Sequence, residues 1–417
     1  MSHPVCGIDF GTSNSALSLG AETSLRLLPV EQGEVTMPSA LFFDEEERSC
    51  YLGRAAQQAY MDGAEGRFMR SLKRVLGTSL MTQKTVVNGK AQSFHDIIGA
   101  YLGHFKTVAD ANGQAVDHVV MGRPVNFVDG DVDADQRAEN ELRQIAENIG
   151  FKHIDFQFEP IAAAFAHEQY ITGEKLALVV DIGGGTSDFT VIRLSEDRKH
   201  AADRSGDILA NTGVRIGGND FDKALSLAEI MPHFGYGTIY GAKNLPMPKR
   251  HYHDISEWSK VNKVYAPKVR REFHEIYRQS HDADKVSRFL TILDTHAGHR
   301  LLHDIEMAKI HLSDNMTSNI DFSYVEKDLN TSILRGDFNL SLGPHVLPLE
   351  QAVNDCIQLS GNASQDIDLI ILTGGSASIP YVRDQLSQFC PQAEISQENK
   401  LSSVALGLGH DALRKFI

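Results

Sequence analysis

Short apolar runs, each closed by a turn that carries glycine or proline, recur at Val5 to Phe10, Asp117 to Met121, Leu176 to Asp181 and Leu369 to Thr373. Runs without polar alternation suit strands buried on both faces. Between them the period changes. Gln136 to Ile149 places Leu142, Ile145, Ala146 and Ile149 at helical spacing and stops at Gly150, a residue suited to a left-handed cap. Pro160 and Pro380 stand where a first helical turn would begin. Ala266 to Ser313 reads as mostly helical, whereas Met231 to His253, rich in Gly, Pro, His and Tyr, has no clean period and receives no element. Strands alternating with helices predict a layered α/β protein.

The pattern also repeats. Cys6-Gly7-Ile8-Asp9-Phe10-Gly11-Thr12-Ser13-Asn14-Ser15-Ala16 reads strand, Asp, Gly turn, hydroxyl, strand; Val179-Val180-Asp181-Ile182-Gly183-Gly184-Gly185-Thr186-Ser187-Asp188 reads the same. Two related lobes explain such an echo, with the boundary near Thr172-Gly173, just before the second copy.

Composition narrows the classes. With 42% hydrophobic and 23% charged residues, the chain has apolar material for two cores and is not disordered. No apolar run approaches the roughly 20 residues of a membrane span, and Met1-Ser2-His3-Pro4-Val5 lacks a signal-peptide layout. A cytoplasmic protein is expected, with no membrane partner. A formal net charge of −15 argues against nucleic acid as a principal partner. Against that average, the stretch from Lys243 to Arg278 holds Lys249, Arg250, Lys260, Lys263, Lys268, Arg270 and Arg271, which reads as a solvated helical face or, more pointedly, a docking surface. Cys6, Cys50, Cys356 and Cys390 are scattered singly, as small buried hydrophobes would be. His296, His299 and His303 lack a carboxylate pattern, so no stoichiometric zinc or iron is expected. Asp44-Glu45-Glu46-Glu47 reads as a hairpin turn, and Trp258 as an anchor for an outer subdomain.

Each Asp-x-Gly turn offers what a triphosphate requires. Glycines allow close backbone approach, successive N–H groups point inward, and a neighbouring hydroxyl adds a donor. A carboxylate at the strand end can hold a hydrated magnesium ion. One such turn is a weak signal; two matched turns, one opening each half, are a stronger one. No Gly-x-x-x-x-Gly-Lys-Ser/Thr occurs and no strand leads into Gly-x-Gly-x-x-Gly, so hairpins must hold the phosphates. Leu372-Thr373-Gly374-Gly375-Ser376 is a third such turn, able to lie against a flat base and ribose or to serve as an ordinary strand-to-helix turn.

These residues carry a resemblance. From Gly7 to about Gly409 the chain resembles the nucleotide-binding domain of Hsp70 chaperones, and specifically the short bacterial DnaK-related proteins of the YegD type. Gly7 to Ser15 is similar to the family's first phosphate motif, Asp181 to Asp188 to its second, and Ser71-Leu72-Lys73-Arg74-Val75-Leu76-Gly77 to the segment bearing its catalytic lysine. Glu159-Pro160-Ile161-Ala162-Ala163-Ala164 resembles the start of its interlobe helix, Ile216 to Asp222 a glycine turn of its second lobe, Gly374 to Pro380 its adenosine motif, and Glu306-Met307-Ala308-Lys309 with Ser313 the helix that touches ribose and adenine.

The resemblance implies a two-lobed, actin-like ATPase fold of duplicated ribonuclease H-like domains. Lobe I would span 1–172 with an outer subdomain at about 39–110, lobe II 173–400 with one at about 229–305, and a helix at 401–417 would return to lobe I. It implies ATP or ADP with Mg2+ as ligands. Asp9 and Asp181 would hold the metal through water; Thr12, Ser13, Gly183, Gly184 and Gly185 would donate to phosphate oxygens; Gly11, Asn14, Thr186, Gly217, Gly218, Glu306, Lys309, Ser313, Gly374, Gly375 and Ser376 would also contact the nucleotide. Lys73, Glu159, Thr186 and Asp188 would form the hydrolytic set. A slow ATPase acting as a conformational switch on a protein partner or client is the implied function; a metabolite kinase or an actin-like scaffold is the alternative. Several positions depart from the family. Ile310 and Ser378 stand where it places arginines beside adenine, and 128–135 adds residues after Gly122-Arg123-Pro124-Val125-Asn126-Phe127. The chain ends at Ile417 without the family's linker, peptide-binding sandwich or lid, so client capture would need another chain or surface.

Overall fold

In the computed structural model, which describes residues 3–21, 24–128, 130–168, 171–198, 201, 204–396 and 402–417, each of the four apolar runs lies on a strand: Val5–Phe10, His118–Arg123, Glu174–Ile182 and Leu369–Thr373. Asp129 and Leu401, which fall in the intervals 128–135 and 401–417, lie outside the described residues. The chain forms two compact units, one of residues 1–215, 350–378 and 385–417, the other of 216–349 and 379–384.

The first unit holds both copies of the sequence echo. Val5–Phe10 pairs antiparallel with Asn14–Ala21 and parallel with His118–Arg123, which pairs parallel with His153–Phe158; Ser24–Leu27 closes the far side and Thr36–Pro38 pairs with Asn14–Ala21. The second sheet repeats this logic, running Ile208–Val214, Ser187–Ser195, Glu174–Ile182, Leu369–Thr373, Glu394–Ser396. In each sheet the hairpin's first strand is central and adds a parallel neighbour, so its apolar residues are buried on both faces, as the missing alternation implied.

Small residues set the helix packing. The helix Ser403–Phe416 lies so close to the helix Glu159–Glu168 that a Cβ on Gly407 would sit 1.6 Å from the Ala162 carbonyl oxygen, and one on Gly7 would sit 2.4 Å from the Gly409 nitrogen. Ser18 Oγ donates to the Ala405 carbonyl at 2.5 Å, fixing that helix on the first hairpin. Alanine at 162, 163, 164 and 166 permits this approach.

The second unit is mostly helical. Pro267–Tyr277, Ala283–Asp294 and Gly298–Asp314 account for the helical reading of 266–313, with short paired strands at Thr317–Asp321 and Asn330–Leu334. The unassigned stretch 231–253 forms a 3-10 turn Met231–Phe234, a two-residue ladder pairing Ile239–Tyr240 with Leu245–Pro246, and the helix Lys249–Ile255. Elements this short leave no period to read. Trp258 belongs to this unit, with its ring 5.7 Å from that of His299.

Two expectations are corrected. The helix assigned to 136–149 begins at Val132, because Asp131 caps it by accepting from the Ala134 N–H at 2.9 Å; a polar first turn, Asp133 and Asp135, hid that start from apolar periodicity. Cys50 is exposed, not buried, because it opens the edge strand Cys50–Leu52 of a small sheet, whereas Cys6, Cys356 and Cys390 are buried. The 44–47 turn does join paired strands, with Asp44 accepting from the Glu46 and Glu47 N–H groups.

Candidate nucleotide site

The two echo turns meet. The first, Gly11 to Ser13, is braced from behind: Ser39 Oγ donates to the Gly11 carbonyl at 2.7 Å, and the Ser39 N–H donates to the Ser13 carbonyl at 2.8 Å. The second is closed by the Gly183 N–H donating to the Thr186 carbonyl at 3.0 Å. Gly184 faces the first turn so closely that a Cβ there would lie 2.2 Å from Ser13 Oγ. The third turn joins them. Gly374 has φ +77°, a conformation glycine favours, and a Cβ on it would lie 2.3 Å from the Ile182 carbonyl oxygen and 2.6 Å from Asp181 Oδ1.

Around these turns lies a pocket within the first unit, with about 890 Å³ of empty space when the open solvent at its mouth is included. Asp9, Gly11, Thr12, Ser13, Asn14, Lys73, Glu159, Asp181, Gly183, Gly184, Thr186, Asp188, Gly374 and Gly375 all line it. Gly185 and Ser376 sit in the same turns; Gly185 faces Arg74, and Ser376 Oγ reaches the Gly183 carbonyl at 3.5 Å. Residues scattered over 366 positions thus share one cavity.

Lys73 is not a surface lysine. It rides a one-turn 3-10 segment, Leu72–Val75, entered through Ser71 at φ +60°, and its buried ammonium donates to Glu159 Oε1 at the start of the helix Glu159–Glu168. Burial works against its charge, but Glu159 and Asp9 outweigh that and hold its pKa above the usual value. The acids go the other way. Burial, then Glu159, push the Asp9 carboxyl well up, and burial followed by Glu159 and Asp188 push Asp181 to about 8. Four carboxyl groups therefore crowd one paired lysine and Arg74, and Asp9 and Asp181 resist ionisation there unless a cation joins them. Among the described residues no three His, Cys, Asp or Glu side chains converge to hold a metal directly. A small hard cation that keeps most of its waters, as magnesium does, fits such a donor set.

Six lining residues were absent from the sequence-derived site: Arg74, Pro124, Asn126, Phe127, Thr373 and Val404. Arg74 is exposed at the pocket and a Cβ on Gly185 would lie 3.5 Å from its Cδ. Its adjacency to Lys73 was the available signal. Pro124, Asn126 and Phe127 follow the strand His118–Arg123 and are held by Arg123, whose guanidinium pairs with Asp135 and Glu139 and lies 5.3 Å from the Phe127 ring centroid.

The remaining expected residues gather in the second unit. Gly217 precedes the helix Gly218–Leu225, and Lys309 Nζ pairs with Asp222 at 2.8 Å and donates to the Gly218 carbonyl at 3.3 Å. Glu306 and Ser313 share the Lys309 helix, where Ser313 Oγ donates to the Lys309 carbonyl at 3.4 Å. The Lys309 ammonium is thus already engaged. Ile310, on the same helix, is half exposed. No helix of the described residues is long and apolar enough to cross a membrane.

The family model described as Hsp70 protein matches residues 5–235 and 274–412, most of the chain, and leaves 236–273 unmatched.

Proposed function

The chain belongs to the Hsp70 family and is an ATP-binding, Hsp70-like protein with that family's actin-like α/β fold, and we propose that it hydrolyses ATP slowly in the Asp9–Asp181 pocket and uses the nucleotide to switch the surface it offers a protein partner. One observation carries this reading: two glycine turns from opposite halves of the sequence meet at Gly184 and Ser13, beside a buried lysine and an excess of carboxylates.

In this mechanism the backbone N–H groups of 11–13 and 183–185, with the Thr12, Ser13 and Thr186 hydroxyls, donate to phosphate oxygens. Asp9 and Asp181 hold a hydrated magnesium ion, which supplies the charge neutralisation that the triphosphate and the carboxylates both lack. Water attacks the γ-phosphorus in line, the bond to the bridging β–γ oxygen breaks, and ADP and phosphate result. Lys73 stabilises charge on the departing and transferred oxygens. Glu159 aims the lysine through their ion pair, and Thr186 and Asp188 orient the water and take up its proton. A site that binds the triphosphate more tightly in one conformation than another drives the switch by that difference.

Titration calorimetry with saturating magnesium and ATP or ADP should register a heat of association, and either nucleotide should raise the melting temperature. Neither signal appearing with both nucleotides would remove the ligand from this site.

A further inference from the structure

The segment that departs from the family overlaps a net-basic stretch in an otherwise acidic chain. Residues 236–273 lie outside the Hsp70 match, and the stretch 243–278 that overlaps them contains nine Lys/Arg against four Asp/Glu, in a chain of formal net charge −15. Its core is well built. Tyr252, Phe273 and Phe289 are fully buried, the Phe273 and Phe289 rings stack at 4.3 Å, and His251 Nε2 lies 3.1 Å from Glu272 Oε2, tying the helix Lys249–Ile255 to the helix Pro267–Tyr277. The cations are therefore presented from packed helices, which lowers the entropy lost when a partner fixes them.

Helical geometry sets where they point. On Pro267–Tyr277 the buried side is Val269, Phe273 and Ile276, and the opposite side carries Arg271, His274 and, at the cap, Arg278, with Lys268 beside them, all exposed. Lys249, Lys263, Lys268, Arg271 and Arg278 make no ion pair among the described residues, whereas Arg270 pairs with Asp294 at 2.6 Å and Lys260 with Glu257 at 2.7 Å. The short hairpin abuts the end of this helix, its Gly241 N–H donating to the Gln279 carbonyl at 2.8 Å; Lys243 and Leu245 of the hairpin and Tyr277 at the helix end are exposed. Unpaired cations and exposed apolar side chains on adjoining elements make a mixed surface, with affinity from the apolar contacts and steering from the charge.

We propose that the 243–278 surface docks an acidic protein segment that carries apolar side chains. Asp254, Glu257, Glu272, Glu275 and Asp294 interrupt the cations, and the rest of the chain is acidic, which disfavours a long uniform polyanion and favours a short segment of patterned charge. The proposal stands on this segment alone and does not rest on the nucleotide reading.

The test uses the full chain and fluorescence anisotropy with three labelled probes: a peptide alternating Glu and Leu, the same peptide with Lys for Glu, and a single-stranded RNA of equal charge. Saturable binding of the acidic peptide alone is expected, weakening as salt rises. The combined variant Lys249→Glu, Arg250→Glu, Lys268→Glu, Arg271→Glu should bind it about tenfold more weakly or worse. A second variant with Gln at those positions, still weaker than the parent, guards against misfolding by charge reversal, and an unchanged melting temperature and magnesium–ATP heat in either variant separates this surface from the pocket. Equal peptide binding by parent and Gln variant, tighter binding of the RNA, or no saturable peptide binding would each overturn the proposal.

Discussion

The two echo hairpins differ where they meet the pocket. In the first, Asp9 pairs across the strands with Ala16 and the turn carries the hydroxyls of Thr12 and Ser13; in the second, Asp181 pairs with Asp188 and the turn is three bare glycines. One turn is thus a donor arm and the other an acidic cradle. The bareness of the second is a consequence of the first, because the Ser13 hydroxyl already occupies the space a Cβ on Gly184 would need. The backbone differs too. A Cβ on Gly11 would lie 2.1 Å from the Asn14 carbonyl oxygen, while at the equivalent Gly183 it would make ordinary contact with the Thr186 oxygen at 3.5 Å. Sequence kinship between two halves therefore does not make their positions equally tolerant.

That contrast can be broken most forcefully at the turn glycines. Gly11→Ala should cost on the order of 2 kcal/mol or more of stability, because backbone must move, whereas Gly183→Ala should cost about 1 kcal/mol or less. Denaturant titration of the two variants measures both, and equal losses would show that the turns are equivalent after all. Next comes the lysine that serves both acids. Lys73→Ala should keep ATP binding and lose about 100-fold or more of hydrolysis, as expected when a cation at the transition state is removed. Equal turnover in variant and parent would take Lys73 out of the mechanism.

The smallest effect separates the acids by pH. Asp181 titrates near 8 in the folded chain and near 3.8 otherwise, so over that window the folded state holds a proton that the unfolded state has released. Stability from this source is complete below about pH 4 and is lost as pH rises toward 8. Without nucleotide the melting temperature should fall between pH 5 and pH 8, by roughly a few degrees for each kcal/mol, and Asp181→Asn should flatten the fall. An unchanged slope in that variant would assign the effect to Asp9, which is also pushed upward.

Much of this was legible beforehand. The four central strands, the two hairpins, the helical stretch 266–313 and the cap at Gly150 all follow from apolar runs and glycine placement, signals that survive because a buried strand tolerates no polar interruption. Illegible were the polar start of the helix Val132–Asn148, the short elements of 231–253 and the exposure of Cys50 at a sheet edge. Periodicity needs several turns of one pattern, and none of these supplies it. Asn126 and Phe127 were missed for a related reason: they follow a strand and nothing local marks them as lining the pocket, whereas Arg74 offered only its adjacency to Lys73.

Taken by itself, the amino-acid sequence determined the strand–turn–strand units, since a run of apolar residues ending in Asp and glycine has few other stable local forms. Tertiary structure decided what those units became. Only packing brought Gly184 within reach of Ser13, buried Lys73 against Glu159, and crowded Asp9 and Asp181 until their carboxyls resist ionisation. Charge and proximity in a poorly solvated pocket depend on long-range assembly, and no stretch of chain encodes them alone.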